Sequence, residues 1–322
     1  MRDVLEPLLG WWRDGGTAAL ATVTATWDSA PREVGAAMAV GPDGTVAGSV
    51  SGGCVEAAVY EVCREVAASG RPTTVRYGVS DDDAGAVGLT CGGTIELYVE
   101  PVSRATLPQL PELAEAVAAG RPVALVTAAD GTHRLTAPGA AGHLVREFLP
   151  PPRFLVFGAT EHAAALARAA ALLGYRVTVC DARPVFATPE RLPGADEVVV
   201  AWPHRYLTAE AAAGRLDART VVCVLTHDPK FDVPVLAAAL RLDLAYVGAM
   251  GSRRTHDDRL RRLREAGADD AALARLASPI GLDLGARTPA ETAVSILAEV
   301  VALRRGGTGN RLTATRGPIH AP

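Results

Sequence analysis

Lysine is almost absent from this chain. Lys230 is the single one, and Gln109 and Asn310 are each the single residue of their kind. Positive charge is therefore carried by arginine, so a bound phosphate or carboxylate would meet guanidinium forks and backbone N–H groups. There is no basic excess either: 32 Lys and Arg stand against 36 Asp and Glu, for a net charge of −4. Without a clustered positive stripe, a nucleic-acid partner is not expected. No uninterrupted apolar run reaches the roughly 18 residues of a membrane span, so a membrane partner is not expected. Asp3 and Glu6 interrupt the basic-then-apolar start of a secretory leader. Cysteine is sparse and odd in number (Cys54, Cys63, Cys91, Cys180, Cys223), and no C-x-x-C pair occurs. That excludes a zinc ribbon, a thioredoxin-type centre and a disulfide framework, and it fits reduced thiols in a cytoplasmic setting.

What is present is enough apolar material for two cores. The chain has 322 residues, 49% of them hydrophobic and 21% charged, a length that points to two domains. Residues 1–105 read as mixed α/β. Thr17–Thr26 alternates and is β-branched, as a strand does. Ala36–Val40 and Thr45–Gly48 flank a Pro42-Asp43-Gly44 hairpin signal. Cys54–Ala68 has helical period and ends at Gly70. Thr73–Tyr77 and Thr94–Glu100 are further strands. Residues 106–152 read as a connecting segment closed by the stiff Pro150-Pro151-Pro152 run. From 153 to 306, short buried strands alternate with helices: RFLVFG, then Glu161–Leu173, then YRVTVC, and so on. That order predicts a Rossmann-like parallel sheet covered on both faces. Thr288, Pro289 and Glu291 spell a capping box for the last helix, and Gly306-Gly307 stops it. Residues 307–322 read as a loose tail.

Several segments have the residues for chemistry. Gly158-Ala159-Thr160-Glu161-His162-Ala163 follows a buried strand and opens a helix, the phosphate-loop position of a Rossmann unit. Asp181 stands roughly twenty residues on, where a ribose-binding carboxylate sits. The fingerprint is broken, however, because Thr160 replaces the glycine that lets a pyrophosphate approach. The fold signal stands, but NAD(P) is not expected as a cofactor. Thr226–Asp232 follows another buried strand. In it His227 and Asp228 could form an acid–base pair with Lys230 as a point cation, or Asp228-Pro229 could be a turn and Asp232 a helix cap. Tyr246–Arg254 reads as strand, glycine loop (Gly248, Gly251) and helix start, with Ser252 as N-cap and Arg253 and Arg254 on the first turn. An anion site fits there, because cations oppose the dipole at a helix N-terminus and need a reason; the alternative is a tight strand–helix turn followed by a solvated arginine-rich helix that Arg259, Arg261, Arg262 and Arg264 continue. A second small-residue loop, Pro279–Arg287, precedes the last helix and ends in Arg287. Gly52-Gly53-Cys54 places a thiol at a helix start, where free N–H groups favour the thiolate, and Cys91-Gly92-Gly93 places another beside paired glycines. Taken in isolation, each reads rather as a small residue in a tight turn. Cys63, Cys180 and Cys223 fall on apolar faces and read as core. Asp81, Asp82 and Asp83 read as a solvated acidic loop rather than a Mg²⁺ site.

Long ordered segments then carry a resemblance. They are ATVTATWDSAPREVGAAMAV (21–40), GSVSGGCVE (48–56), LTCGGTIELYVEP (89–101), VLTHDPKFDVPVL (224–236), YVGAMGSRRTH (246–256) and SPIGLDLGARTPAETAVSILAE (278–299). Through them the chain resembles the XdhC/CoxI family, accessory proteins of xanthine dehydrogenase and carbon monoxide dehydrogenase. The resemblance implies an N-terminal XdhC/CoxI domain and a C-terminal Rossmann-like XdhC domain. It implies a chaperone without turnover of its own. Such a protein binds the molybdenum cofactor, protects it, often during sulfuration by a cysteine desulfurase, and delivers it to an apo molybdenum hydroxylase. Carried over by position, Cys54 and then Cys91 are the candidates to contact molybdenum or the transferred sulfur, and thiolate softness suits both. The loops at Gly248–Arg254 and Gly281–Arg287 would hold the pterin phosphate or a nucleotide, mono- or dinucleotide form being open. The chain departs from many relatives at Thr160-Glu161. Two other readings stand beside this one: an NAD(P)-dependent oxidoreductase using His227, and a sulfur- or nucleotidyl-transferase acting on the pterin. A homodimer is expected from the prevalence of two-fold assemblies.

Overall fold

The structure is a computed structural model, and it describes residues 1–28, 30, 32–78, 93–316 and 319. It divides into two compact units, Met1–Pro150 with Thr315–Pro322, and Pro151–Ala314. Each is described by itself.

The first unit runs α1 (Arg2–Arg13), β1 (Ala18–Trp27), β2 (Ala37–Val40), β3 (Val46–Gly48), α2 (Glu56–Ser69), β4 (Thr73–Tyr77) and β5 (Thr94–Val102). Then come α3 (Leu110–Ala118), β6 (Val123–Thr127), β7 (His133–Thr136) and β8 (Leu144–Phe148). Its main sheet has the order β3-β2-β1-β5-β4, antiparallel throughout. Side chains alternate along β1, and both faces are buried. Ala19, Ala21 and Val23 meet Val59, Cys63 and Val66 of α2 on one face. Ala18 and Leu20 meet Val4, Leu5 and Leu8 of α1 and Leu110 and Leu113 of α3 on the other. Residues 106–150, expected as a connection, cluster with this unit and hold α3 and a second sheet, β7-β6-β8. The amphipathic α1 had no counterpart in the sequence expectations, because Pro7 and the paired tryptophans obscure its period.

The second unit runs β9 (Arg153–Phe157), α4 (Glu161–Leu172), β10 (Arg176–Asp181), β11 (Glu197–Val200), α5 (Pro203–Ala212), β12 (Val221–Val224) and α6 (Pro229–Ala239). It ends with β13 (Tyr246–Ala249), α7 (Arg253–Glu265), α8 (Asp270–Ala274), β14 (Leu276–Ala277) and α9 (Pro289–Arg305). Its six strands have the order β11-β10-β9-β12-β13-β14, and every pairing is parallel. This is the doubly wound Rossmann arrangement, with its switch point between β9 and β12. The central strand RFLVF has no polar alternation because both faces are covered. Phe154 and Val156 pack with α4 and α9, and Leu155 and Phe157 with α5, α6 and α7. Phe154 and Phe157 are fully buried, each contributing about 1.5–3 kcal/mol of apolar transfer. The Thr288 capping box of α9 is complete, and Gly306 closes the helix in the left-handed region at φ 69°.

Candidate functional site

In the first unit the loop before α2 has a defined internal architecture. The helix begins at Glu56 with Val55 as N-cap, so Cys54 lies in the loop just before it rather than in the first turn. The reason is Glu56 itself, whose carboxylate reaches back into the loop. One oxygen accepts from Ser49 Oγ (2.6 Å), Ser51 N (2.9 Å) and Gly52 N (2.9 Å). The other accepts from Ser51 Oγ, Gly53 N (2.8 Å) and Val55 N (3.3 Å). Ser51 Oγ in turn accepts from Cys54 N at 3.0 Å and Val55 N at 3.1 Å. Partial burial opposes ionisation of Glu56, but the hydrogen bonds of Ser49, Ser51 and the loop amides outweigh it and hold the carboxyl at about 2. The loop N–H groups expected to favour a Cys54 thiolate are thus taken up by the Glu56 carboxylate and the Ser49 and Ser51 hydroxyls. Gly52 and Gly53 have φ of 83° and 125°, and among the described residues nothing lies within 4 Å of where a Cβ would stand. The positive φ calls for glycine at both. Cys54 is half-buried in the same loop. Cys91 and Gly92, and the acidic residues 81–83, lie outside the described residues; Gly93 is buried just before β5. Glu56 was missed as a functional residue, though two serines and two glycines just ahead of a glutamate were visible in GSVSGGCVE.

In the second unit the strand C-termini form the ligand edge of an open α/β sheet. Gly158, at φ 111°, lies against β12: a Cβ there would stand 2.7 Å from Thr226 Cγ2 and 3.0 Å from Thr226 N. Thr160 is the N-cap of α4, its hydroxyl accepting from Ala163 N. Asp181 is buried, with Oδ2 accepting from Ala159 N at 2.8 Å and from Arg183 at 2.7 Å. Its Oδ1 accepts from the Arg183 backbone and Nε, both at 2.9 Å. Burial opposes ionisation, and the Arg183 and Ala159 hydrogen bonds overcome it, holding the carboxyl below its usual range. Both Asp181 oxygens are therefore engaged within the protein.

Asp228 takes the N-cap of α6, accepting from Lys230 N. It also pairs with Lys230 Nζ at 2.9 Å, and these contacts lower its pKa. The cap is thus Asp228, not Asp232. Asp232 is buried in the first turn, where it accepts from the Thr226 hydroxyl and lies 3.5 Å from Arg259. Burial pushes its carboxyl up, and Thr226 and Arg259 only partly offset this. Arg259 also donates to Met250 O at 2.7 Å and Ser278 Oγ at 2.8 Å. It ties together the ends of β12, β13 and β14, a role that one arginine among six on α7 did not advertise. His227 is exposed at the rim, and among the described residues it shares no hydrogen bond with the internally paired Asp228.

Gly248 lies inside β13, where a Cβ would collide with Ile280 Cδ1 at 2.6 Å. Gly251 precedes Ser252, which caps α7 by accepting from Thr255 N. Arg253 and Arg254 are exposed, and so is Arg287. Among the described residues, none of these three side chains has a carboxylate partner. A cleft of about 390 Å³ opens between the N-terminal ends of α4 and α9, lined by Thr160, Glu161, Arg168, Arg191, Thr288 and Pro289 among others. Among the described residues no group of three or more His, Cys, Asp or Glu could hold a metal ion. No helix there is long and apolar enough to cross a membrane. Burial pushes the Cys63 and Cys180 thiols up to about 12 and that of Cys223 well above its usual value, as core positions require.

Comparison with known proteins matches residues 11–78 to the XdhC and CoxI family and residues 154–300 to the XdhC Rossmann domain. The chain is 32% identical over 309 residues to the molybdenum cofactor insertion chaperone PaoD of Escherichia coli K12, covering 94% of this chain and 87% of that one. It is 28% identical to a Bacillus subtilis 168 protein named as a probable xanthine dehydrogenase subunit, covering 94% and 97%. A crystal structure described as a xanthine dehydrogenase from Bacillus halodurans superposes with a TM-score of 0.70 at 26% identity, over 97% of both chains. With both units matched in order and a curated relative aligned nearly end to end, this chain belongs to the XdhC/CoxI family.

Proposed function

We propose that this protein is a molybdenum cofactor accessory protein that holds the cofactor and hands it to an apo molybdenum hydroxylase. The observation that carries the reading is the near end-to-end match to a relative named as a molybdenum cofactor insertion chaperone. The site chemistry supports it. Cys54 offers a soft sulfur ligand in the loop that Gly52 and Gly53 shape. Arg253, Arg254 and Arg287 are exposed guanidinium groups available to a phosphate, with Gly248, Gly251 and Ser252 shaping the turn before them. Gly158 and Asp181 shape the turn at the sheet switch point and are not ligand groups in this reading. Cys91, with Gly92 and Gly93, is the second thiol assigned to the cofactor. Holding the cofactor during sulfuration by a cysteine desulfurase, and acting as a homodimer, belong to the same proposal.

A nicotinamide-dependent oxidoreductase fits less well. The carboxylate that would take the ribose hydroxyls is paired with Arg183, and a threonine stands where a pyrophosphate needs glycine. The test is anaerobic purification from a host that makes the cofactor, with molybdenum and oxidised pterin assayed together. Near-stoichiometric amounts of both are expected, falling at least ten-fold in Cys54→Ser with the fold retained. A folded protein that carries neither, even with a purified cofactor source supplied, overturns the reading.

A further inference from the structure

Every backbone N–H from Ser51 to Val55 has its acceptor inside the loop: the Glu56 carboxylate, Ser49 Oγ or Ser51 Oγ. Successive N–H groups in such a turn form a concavity that attracts anions. Here the concavity is already filled. Both Glu56 oxygens are inside it, each with at least three donors. The loop therefore has no amide left to offer an incoming phosphate or oxyanion, and it keeps a full negative charge in the same turn as Cys54.

The structure assigns Glu56 as the positioning residue for Cys54. Its carboxylate holds the 51–55 turn that carries the thiol. Its charge makes that turn repellent to small anionic reagents. This inference rests on reading Cys54 as a cofactor contact, and it adds how that turn is held. Glutamine at 56 would keep the reach and one acceptor oxygen, but its amide nitrogen cannot accept from Gly53 and Val55. Aspartate would keep the charge but lose the reach of one methylene.

The experiment compares the alkylation rates of Cys54 in the full chain with neutral iodoacetamide and anionic iodoacetate, read peptide by peptide by mass spectrometry. The peptides of Cys63, Cys180 and Cys223 serve as internal controls, since these buried thiols label only when the protein opens. In Glu56→Gln the iodoacetate-to-iodoacetamide ratio at Cys54 should rise about three-fold, the size of one unit charge removed a few ångströms away in a water-rich setting. Glu56→Asp should leave the ratio unchanged. Both variants should lose cofactor retention, because each breaks part of the hydrogen-bond set that holds the turn. An unchanged ratio in Glu56→Gln overturns the assignment. If that variant opens, as its control peptides would reveal, the wild type alone decides. Raising ionic strength should increase the ratio by screening the Glu56 charge, and a flat ratio overturns the assignment. Should the wild type retain no cofactor while the ratio moves as expected, the cofactor reading falls and the Glu56 assignment is supported.

Discussion

The Asp181 carboxylate is 2% exposed and holds both the Ala159 amide and the Arg183 guanidinium. It acts as a brace for the turn between β9 and α4, the turn whose glycine packs against Thr226. Asp181→Ala leaves the Ala159 N–H without its partner and should lower stability by about 1–3 kcal/mol, read from urea unfolding midpoints. The sign of the pH dependence follows from the lowered pKa. The contribution is present above the unfolded value near 4 and is lost as pH falls through the folded one. The gap between wild type and Asp181→Ala should therefore narrow as unfolding is measured progressively below pH 4; a gap that widens would contradict this account. The same logic explains why the site residues were only partly legible. Aspartates at 181 and 228 mark strand ends in any sequence, but whether their oxygens face a ligand or a neighbouring arginine, amide or lysine depends on side chains far away in sequence or on rotamers.

At the scale of elements, helix N-termini dominate the ligand edge of the parallel sheet. Thr160, Asp228, Ser252 and Thr288 each cap one, by accepting from an amide of the first turn. The Thr288 box was legible because threonine, proline and glutamate at fixed offsets satisfy orphan amides locally. Thr288→Ala should cost about 1 kcal/mol, seen as a lower thermal midpoint of the second unit, with no change at Cys54 alkylation. The α2 start was not legible in the same way. Periodicity extends the apolar face back toward Cys54, but the Glu56 carboxylate collects the loop amides and moves the first helical residue to 56. The short strands β7 and β8 were unread for a related reason. Their neighbours across the sheet, rather than their own alternation, complete them.

Across the whole molecule, each unit has a core with helices on both faces of its main sheet, and each also encloses charge, Asp232 with Arg259 in the second and a larger network in the first. Glu100 of β5 pairs with Arg146 of β8 and lies 2.8 Å from His133 Nε2 of β7, all three side chains being 4% exposed or less. His133 Nδ1 is 3.0 Å from Thr106 O, and Arg146 donates to Thr127 at 2.7 Å. Burial opposes ionisation of Glu100, and Arg146 and His133 overcome it and lower its pKa. Glu100→Gln should cost about 3–5 kcal/mol by leaving the Arg146 charge buried without its counter-ion. Adding Arg146→Met should recover part of that loss, because paired groups are not additive; denaturant midpoints of the three variants measure the coupling. The network ties residues 106–150 to the first unit: they supply two of its three members, His133 and Arg146. By itself the sequence determined the two fold classes, the parallel order of the second sheet and the core cysteines, since apolar period, glycine and proline positions and strand–helix alternation are local properties. Only the tertiary structure decided which polar groups are committed inward and which face outward. That choice turns on contacts of about 3 Å, some between residues the chain order does not place together, as Glu100 with Arg146, and, at Glu56, Asp181 and Asp228, on which rotamer a side chain takes toward its own neighbours.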